Sequence, residues 1–324
     1  MKTLFFSCCL SLIQLLAVAQ YPPAAGQPGS TAIHKDSSCF VGWATKCEIY
    51  RGYLNIADTT FEINGSNRVS YGHPDDATGK ASNTVVSLGD KGYAILEFEY
   101  PVVNGEGWDF AVFENAFDDY FLELAFVEAS SDGENFFRFP SVSLTQTEVQ
   151  TGSFGQTDAT KIHNLAGKYR VEYGTPFDLE EIADIDGLNI NAITHIKIID
   201  VCGSINPEYA SYDSHGNIIN GPWPTPFESG GFDLDAVGVI NNTQNNGLNE
   251  YKSNIVTIYP NPTNDFFKIN TPFAIEQWEI YTKTGVKVFY GNSKNADVSI
   301  LQNGIYFIRL YSESRIYNQK LIKY

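Results

Sequence analysis

The chain has 324 residues, enough for two domains once an export signal is set aside. Its 38 acidic residues against 21 Lys and Arg give a net charge of −17, which argues against nucleic acid as a partner because phosphates would be repelled. Aromatic residues are abundant (22 Phe, 19 Tyr, 4 Trp), Met occurs once and 27 Gly supply turns, a composition that favours strands over helices.

Lys2, the apolar run 4–16 and Ala17-Val18-Ala19 together read as a secretory signal peptide over residues 1–19, with cleavage after Ala19. Cys8 lies inside that run behind Phe5 and Phe6, which argues against a lipid anchor there. No later segment approaches the roughly 18 unbroken apolar residues of a spanning helix, so no membrane span is expected in the mature chain. Residues 20–30 form an extended Pro/Gly-rich leader. Of the three cysteines beyond the signal, Cys39 and Cys47 either close a short disulfide loop or stay reduced, and Cys202 has no neighbour in sequence.

Residues 31–240 read as one β-rich domain. Apolar and aromatic runs bounded by turn chemistry predict strands over 84–88, 93–100, 108–114, 121–130, 136–139, 195–201 and 232–240. Asn104-Gly105, Asp132-Gly133 and Gly230-Gly231 mark turns between them. Residues 176–183 carry Asp178, Glu180 and Glu181 near their start and read as a short helix, and 117–120 as a single helical turn. Many short strands and almost no 3.6-residue periodicity predict an all-β fold, a jelly-roll-like β-sandwich.

Two stretches of this domain concentrate carboxylates. In 109–115, alternation puts Asp109, Ala111 and Phe113 on one strand face and Phe110, Val112 and Glu114 on the other. In 230–237, Phe232, Leu234 and Ala236 are expected in the core, which leaves Asp233 and Asp235 side by side on the opposite face. Such a pair repels unless a cation lies between, so a structural Ca²⁺ held by Asp109, Glu114, Asn115, Asp233 and Asp235 is one expectation. Solvated carboxylates on an exposed sheet face are the other. The stretch 184–191 has calcium-like spacing, but its glycine, Gly187, falls fourth rather than sixth and no Glu ends the loop as in an EF-hand, so it reads as a polar turn.

The loop 206–229 is long for a compact domain, and its aromatic residues argue against disorder. Stiffened by four prolines, it either presents its rings as a platform or folds them down as a lid. Trp108, Tyr209, Tyr212, Trp223 and Phe227 are therefore the candidate ligand-binding residues, for an extracellular carbohydrate or small ligand. Catalysis has little support: the five His are scattered, His195 sits in an apolar strand, and no Gly-x-Ser-x-Gly elbow occurs. A carboxylate pair would suffice for a glycoside hydrolase, so that alternative stays open.

The Asn-rich segment 241–253 reads as a linker, and the β pattern restarts beyond it. Residues 254–324 hold 8 Lys and Arg against 5 acidic residues, whereas 20–253 hold 12 against 33. Hairpin spacing over these seventy residues suits a small immunoglobulin-like β-sandwich. Tyr259-Pro260-Asn261-Pro262, then Gly285 after a hydrophobic strand, then Asn303-Gly304-Ile305-Tyr306 and the closing Lys320-Leu321-Ile322-Lys323 resemble the type A C-terminal sorting domain of the type IX (Por) secretion system. The resemblance implies a Bacteroidetes origin, the type IX machinery as a partner, passage across the outer membrane, removal of the tail, and release or attachment at the cell surface. The stretches 86–90, 109–115, 122–128, 165–167 and 231–237 also resemble a family of exported bacterial surface proteins, which implies a surface-located jelly-roll binding domain. A binder of carbohydrate or surface polymer is the leading expectation. A capture protein for a scarce nutrient or cofactor, working with an outer-membrane transporter, is the second.

Overall fold

A computed structural model describes residues 21–246, 256–271, 274–283, 285–312 and 315–324. The signal peptide and most of the expected linker lie outside these residues. The protein is all-β, and it divides into two compact units between Thr243 and Gln244.

The first unit contains β1 (Ile33–His34), β2 (Gly42–Tyr50), β3 (Val86–Ser87), β4 (Tyr93–Val102), β5 (Phe110–Glu114), β6 (Ala125–Ser130), β7 (Phe137–Arg138), β8 (Val142–Ser143), β9 (Ile162–His163), β10 (Tyr173–Phe177), β11 (Ile193–Asp200) and β12 (Asp233–Val239). Ten of them form one curled antiparallel sheet ordered β1-β10-β5-β12-β2-β4-β11-β6-β7, with β3 beside β12. β2 makes the corner: Gly42 and Trp43 pair with Val239 and Gly238, while Lys46–Tyr50 pair with β4 after a bulge. The two halves thereby face each other as a sandwich. Phe110, Val112, Leu234, Val237 and Val239 from one half meet Ala94, Leu96, Val127, Ile196 and Ile198 from the other in the main core. The rings of Phe110, Phe139 and Phe177 pack within 5.2–5.7 Å, and each such buried ring contributes about 1.5–3 kcal/mol.

β5 and β6 are buried on both faces, which explains the apolar runs Phe110–Phe113 and Ala125–Val127 within them. The outer face of β5 carries Ala111 and Phe113 into a small cluster with Ala236, Phe40 and Trp43. Behind β6, Phe126 joins Leu122, Leu124, Ile162, Leu165 and Ile219.

Several expectations shift. Residues 173–177 form β10, and only Leu179–Ile182 turn, as a 3-10 helix whose N-cap is Asp178. Residues 117–120 form bends rather than a helical turn. β2, absent from the expected strands, carries the polar residues Lys46, Glu48 and Tyr50 on one face. A β-bulge between Leu234 and Ala236 inserts one residue into β12, so Ala236 packs opposite Leu234 instead of beside it. Asn241 and Asn242, expected as linker, belong to the first unit: Asn241 donates to Asp109 at 2.9 Å, and Asn242 is buried and bridged to Val102. The three cysteines beyond the signal are free thiols.

The second unit contains β13 (Thr257–Tyr259), β14 (Phe266–Asn270), β15 (Gln277–Thr282), β16 (Lys287–Gly291), β17 (Asn295–Asp297), β18 (Gly304–Ser312) and β19 (Arg315–Lys323). They form two antiparallel sheets, β13-β14-β17 and β16-β15-β18-β19, around Phe267, Ile269, Trp278, Ile280, Ile308, Leu310 and Leu321. This is the small immunoglobulin-like sandwich that the strand spacing predicts.

Candidate functional site

At the β5 end marked by Glu114, side chains converge that β-sheet packing alone does not require. Phe117, Phe121, Phe154 and Phe227 line a cavity of about 250 Å³ together with Glu123, Ser153, Thr225 and Asp233. The four rings follow one another with centroids 5.7, 6.1 and 5.7 Å apart, tilted by 20–30°. Phe117 is 78 % exposed and Phe154 73 % exposed, a large apolar surface to leave in water. Beneath them Glu123 is half-buried, and among the described residues its carboxyl meets no hydrogen-bond donor and no cation.

A second group of acids lies behind this floor. Asp90, Glu123 and Asp200 border a crevice of about 10 Å³, room for one water. Both oxygens of Asp200 accept backbone N–H groups, from Phe232 at 2.8 Å and Lys91 at 3.0 Å. Asp90 accepts from Ile56 at 2.8 Å and from the Trp223 indole at 3.4 Å. Gly231 passes directly over Asp200 with φ +72°, where a Cβ would fall 2.7 Å from the carboxylate, so only glycine fits. Burial raises these carboxyls, and repulsion from neighbouring acids adds to it at Asp200, Glu114 and Glu123: Asp90 rises to about 6, Asp200 to about 8, and Glu114 and Glu123 well above the usual range. Burial likewise lifts Asp233 to about 6 against the opposing pull of its Ser87 hydrogen bond and of Arg51.

The expected metal ligands separate. Asp109 and Glu114 stand at opposite ends of β5, roughly 16 Å apart at about 3.3 Å per residue, so one ion cannot touch both. Asp109 is fully buried and accepts from Gly105, Leu179 and Asn241, a satisfied acid that ties three segments together. Asp235 accepts the N–H groups of Ser82 and Asn83, Glu114 those of Asn115 and Ala116, and Asp233 the Ser87 hydroxyl. Among the described residues no three His, Cys, Asp or Glu side chains gather closely enough to hold a metal ion.

The expected aromatic residues also part company. Loop 206–229 is folded down: Trp223 stacks on Tyr209 at 6.3 Å, and Asn220 pins the loop through Gln146, Val149 and Thr151. Tyr212 is exposed, its hydroxyl donating to the Pro207 carbonyl at 3.4 Å, and Trp108 lies at the far end of β5 beside Asp109. Of the five, Phe227 alone reaches the cavity. Phe117, Phe121, Phe154 and Glu123 were missed. Phe154 sits between turn residues in Gly152-Ser153-Phe154-Gly155, and Phe117 precedes two Asp, settings where a large apolar ring has no core to join.

In the tail, the proline-flanked Asn261 bridges to the last strand: its amide donates to the Lys320 carbonyl at 2.6 Å and accepts from Ile322 N–H at 2.9 Å. Thr263 continues the seam by pairing with Ile322 and Tyr324. Gly304 opens β18, and buried Tyr306 donates its hydroxyl to the Gln302 carbonyl. Tyr259 and Lys320 stay exposed. Residues 257–324 match the family model described as a secretion system C-terminal sorting domain. The tail is a type IX sorting domain. The sorting domain assigns the chain to the type IX machinery and to secretion across the outer membrane, to the cell surface or the extracellular space. No helix among the described residues is long and apolar enough to cross a membrane.

No curated protein matches the chain significantly. Among solved structures it is similar to Faecalibacterium prausnitzii β-glucuronidase at 10 % identity and a TM-score of 0.20, over 87 % of this chain and 46 % of that one. The chain thus spans less than half the length of that enzyme, and a likeness this slight carries no argument about activity.

Proposed function

We propose that the β-sandwich is a binding domain, delivered by the sorting domain, that holds an extracellular carbohydrate or surface polymer in the phenylalanine-lined cavity. The observation that carries this reading is Glu123, a carboxyl with no hydrogen-bond donor or cation among the described residues, beneath four clustered rings. A sugar ring satisfies both parts: its C–H face covers apolar rings, and its hydroxyls donate to Glu123 and Asp233. Glucan, galactan, mannan and cell-surface polysaccharide fractions titrated calorimetrically into the purified protein provide the test. We expect one of them to bind, Phe154→Ala and Glu123→Gln each to weaken it about tenfold or more, and melting to persist in both variants. Wild-type protein that binds none of these polymers overturns the reading.

The excess of carboxyls favours a second reading, capture of a cationic nutrient, since aromatic faces and acids together attract organic ammonium groups. Binding of that kind weakens steeply with salt, whereas binding of a neutral glycan does not.

A further inference from the structure

Two carboxyls border the phenylalanine-lined cavity, and their surroundings differ. Glu123, in the loop before β6, meets no hydrogen-bond donor and no cation among the described residues, so nothing there favours its charged form. Asp233, the first residue of β12, accepts the Ser87 hydroxyl and feels the positive charge of Arg51, and both favour its charged form. Among the charges that oppose ionisation of Glu123, Asp233 is the strongest, which places the two carboxyls close together. A space of 250 Å³ is about 8 Å across, so carboxyls on its wall lie within the reach, up to roughly 9.5 Å, over which paired acids cleave glycosides. The two groups are also set apart in acidity. Asp233 titrates at about 6, while Glu123 stays protonated well above the usual carboxylate range, so near neutral pH one is a base and the other an acid.

We infer that the cavity is a hydrolytic centre for uncharged glycans, with Glu123 as general acid and Asp233 as general base. The inference rests on the reading that this cavity takes a carbohydrate, and adds a reaction to it. Glu123 gives its proton to the oxygen that links two sugar units. The bond from that oxygen to the anomeric carbon breaks, and its electron pair goes to the oxygen. A water oxygen bonds to the anomeric carbon and loses a proton to Asp233. One glycosidic bond and one water are consumed, and two sugar hydroxyls form, one of them at a new reducing end. Solvent then returns a proton to Glu123 and takes one from Asp233. Charge selects the substrate: Glu114, Asp200 and Asp90 add to the negative field around the pair and repel uronic acid and sulfate groups, while a neutral glycan meets no such barrier.

Counting the reducing ends released when the full chain is incubated with glucan, galactan or mannan tests it, beside calorimetric titration of the same polymers. The wild-type protein is expected to cleave at least one of them. Glu123→Gln and Asp233→Asn are each expected to lower kcat at saturating polymer about a hundredfold or more, the usual share of a general acid or base. A 2,4-dinitrophenyl glycoside of the same sugar carries a leaving group that departs without a proton. Glu123→Gln should therefore hydrolyse it at close to the wild-type rate, whereas mere distortion of the cavity would slow both substrates alike. Polymer that binds without being cleaved overturns the inference and leaves the binding reading standing. Polymer that neither binds nor is cleaved overturns both. Equal loss on the two substrates in Glu123→Gln, or wild-type turnover in either variant, also overturns the inference. If Asp233→Asn does not fold, the two substrates compared in Glu123→Gln decide alone.

Discussion

Glu123 illustrates how far a single side chain can be read. Its carboxyl is held protonated well above the usual range because burial and the neighbouring Asp233, Glu114, Asp200 and Asp90 all oppose its charge. Asp200, lifted to about 8, and Asp90 and Asp233, at about 6, share the same direction. In the unfolded chain these groups titrate near 4, so between roughly pH 4 and pH 8 the folded state binds more protons than the unfolded one. The contribution of these raised groups is then full below pH 4 and falls as the pH rises. In the tail Glu279 is lowered to about 2 by Tyr281, Lys287 and Tyr311, so its contribution is lost only as the pH falls below about 4, outside that window. We therefore expect the first unit to melt about 5–10 °C lower at pH 8 than at pH 5, followed by differential scanning calorimetry. Glu123→Gln removes a charge conflict and breaks no hydrogen bond, so it should recover several degrees at pH 8 and little at pH 5. A flat profile in the wild-type protein would contradict the assignment of raised carboxyls.

At the scale of elements, what could be read depended on how locally each feature is encoded. β4, β6 and β11 follow from runs such as Tyr93-Ala94-Ile95-Leu96, because alternation and β-branched residues are local signals. The bulge in β12 is invisible in its own sequence, since it depends on pairing with β5, and it undoes the expected shared face of Phe232, Leu234 and Ala236. The cavity was illegible for the same reason: Phe117, Phe154 and Phe227 come from three separate loops joined only by tertiary contacts. Asn220 is the clearest joint among them. Fully buried, it accepts from Thr151 N–H and from Gln150 and donates to the Gln146 and Val149 carbonyls, clamping 146–151 to the long loop. Asn220→Ala leaves the Thr151 N–H and the Gln146 carbonyl without a partner, while Gln150 and the Val149 carbonyl keep other hydrogen bonds, and at about 1–2 kcal/mol for each orphaned group we expect a loss of roughly 2–4 kcal/mol. Chemical denaturation measures it. A loss below about 1 kcal/mol would show that the two loops hold together without this residue.

The whole molecule divides its work between two cores. The main core of the first unit draws only on residues between Ala44 and Val239, and that of the second only on residues from Val256 to Leu321. Each is an antiparallel β structure with its own apolar interior, and the charge is split in the same region, acidic before and basic after. A unit that buries its own core keeps its stability when a neighbour is removed. Deleting residues 244–324 is therefore expected to leave the melting temperature of the first unit within about 2 °C of its value in the full chain, since every residue of its main core is kept. Export should behave in the opposite way. The sorting domain is the part that the type IX machinery reads, so the truncated chain should stay inside the outer membrane of the producing cell, where surface-added protease cannot reach it, while the full chain reaches the outside. A truncated chain that still reached the surface would show that the tail is not what carries it there. One that was retained but melted far lower would show that the sorting domain also supports the fold it delivers.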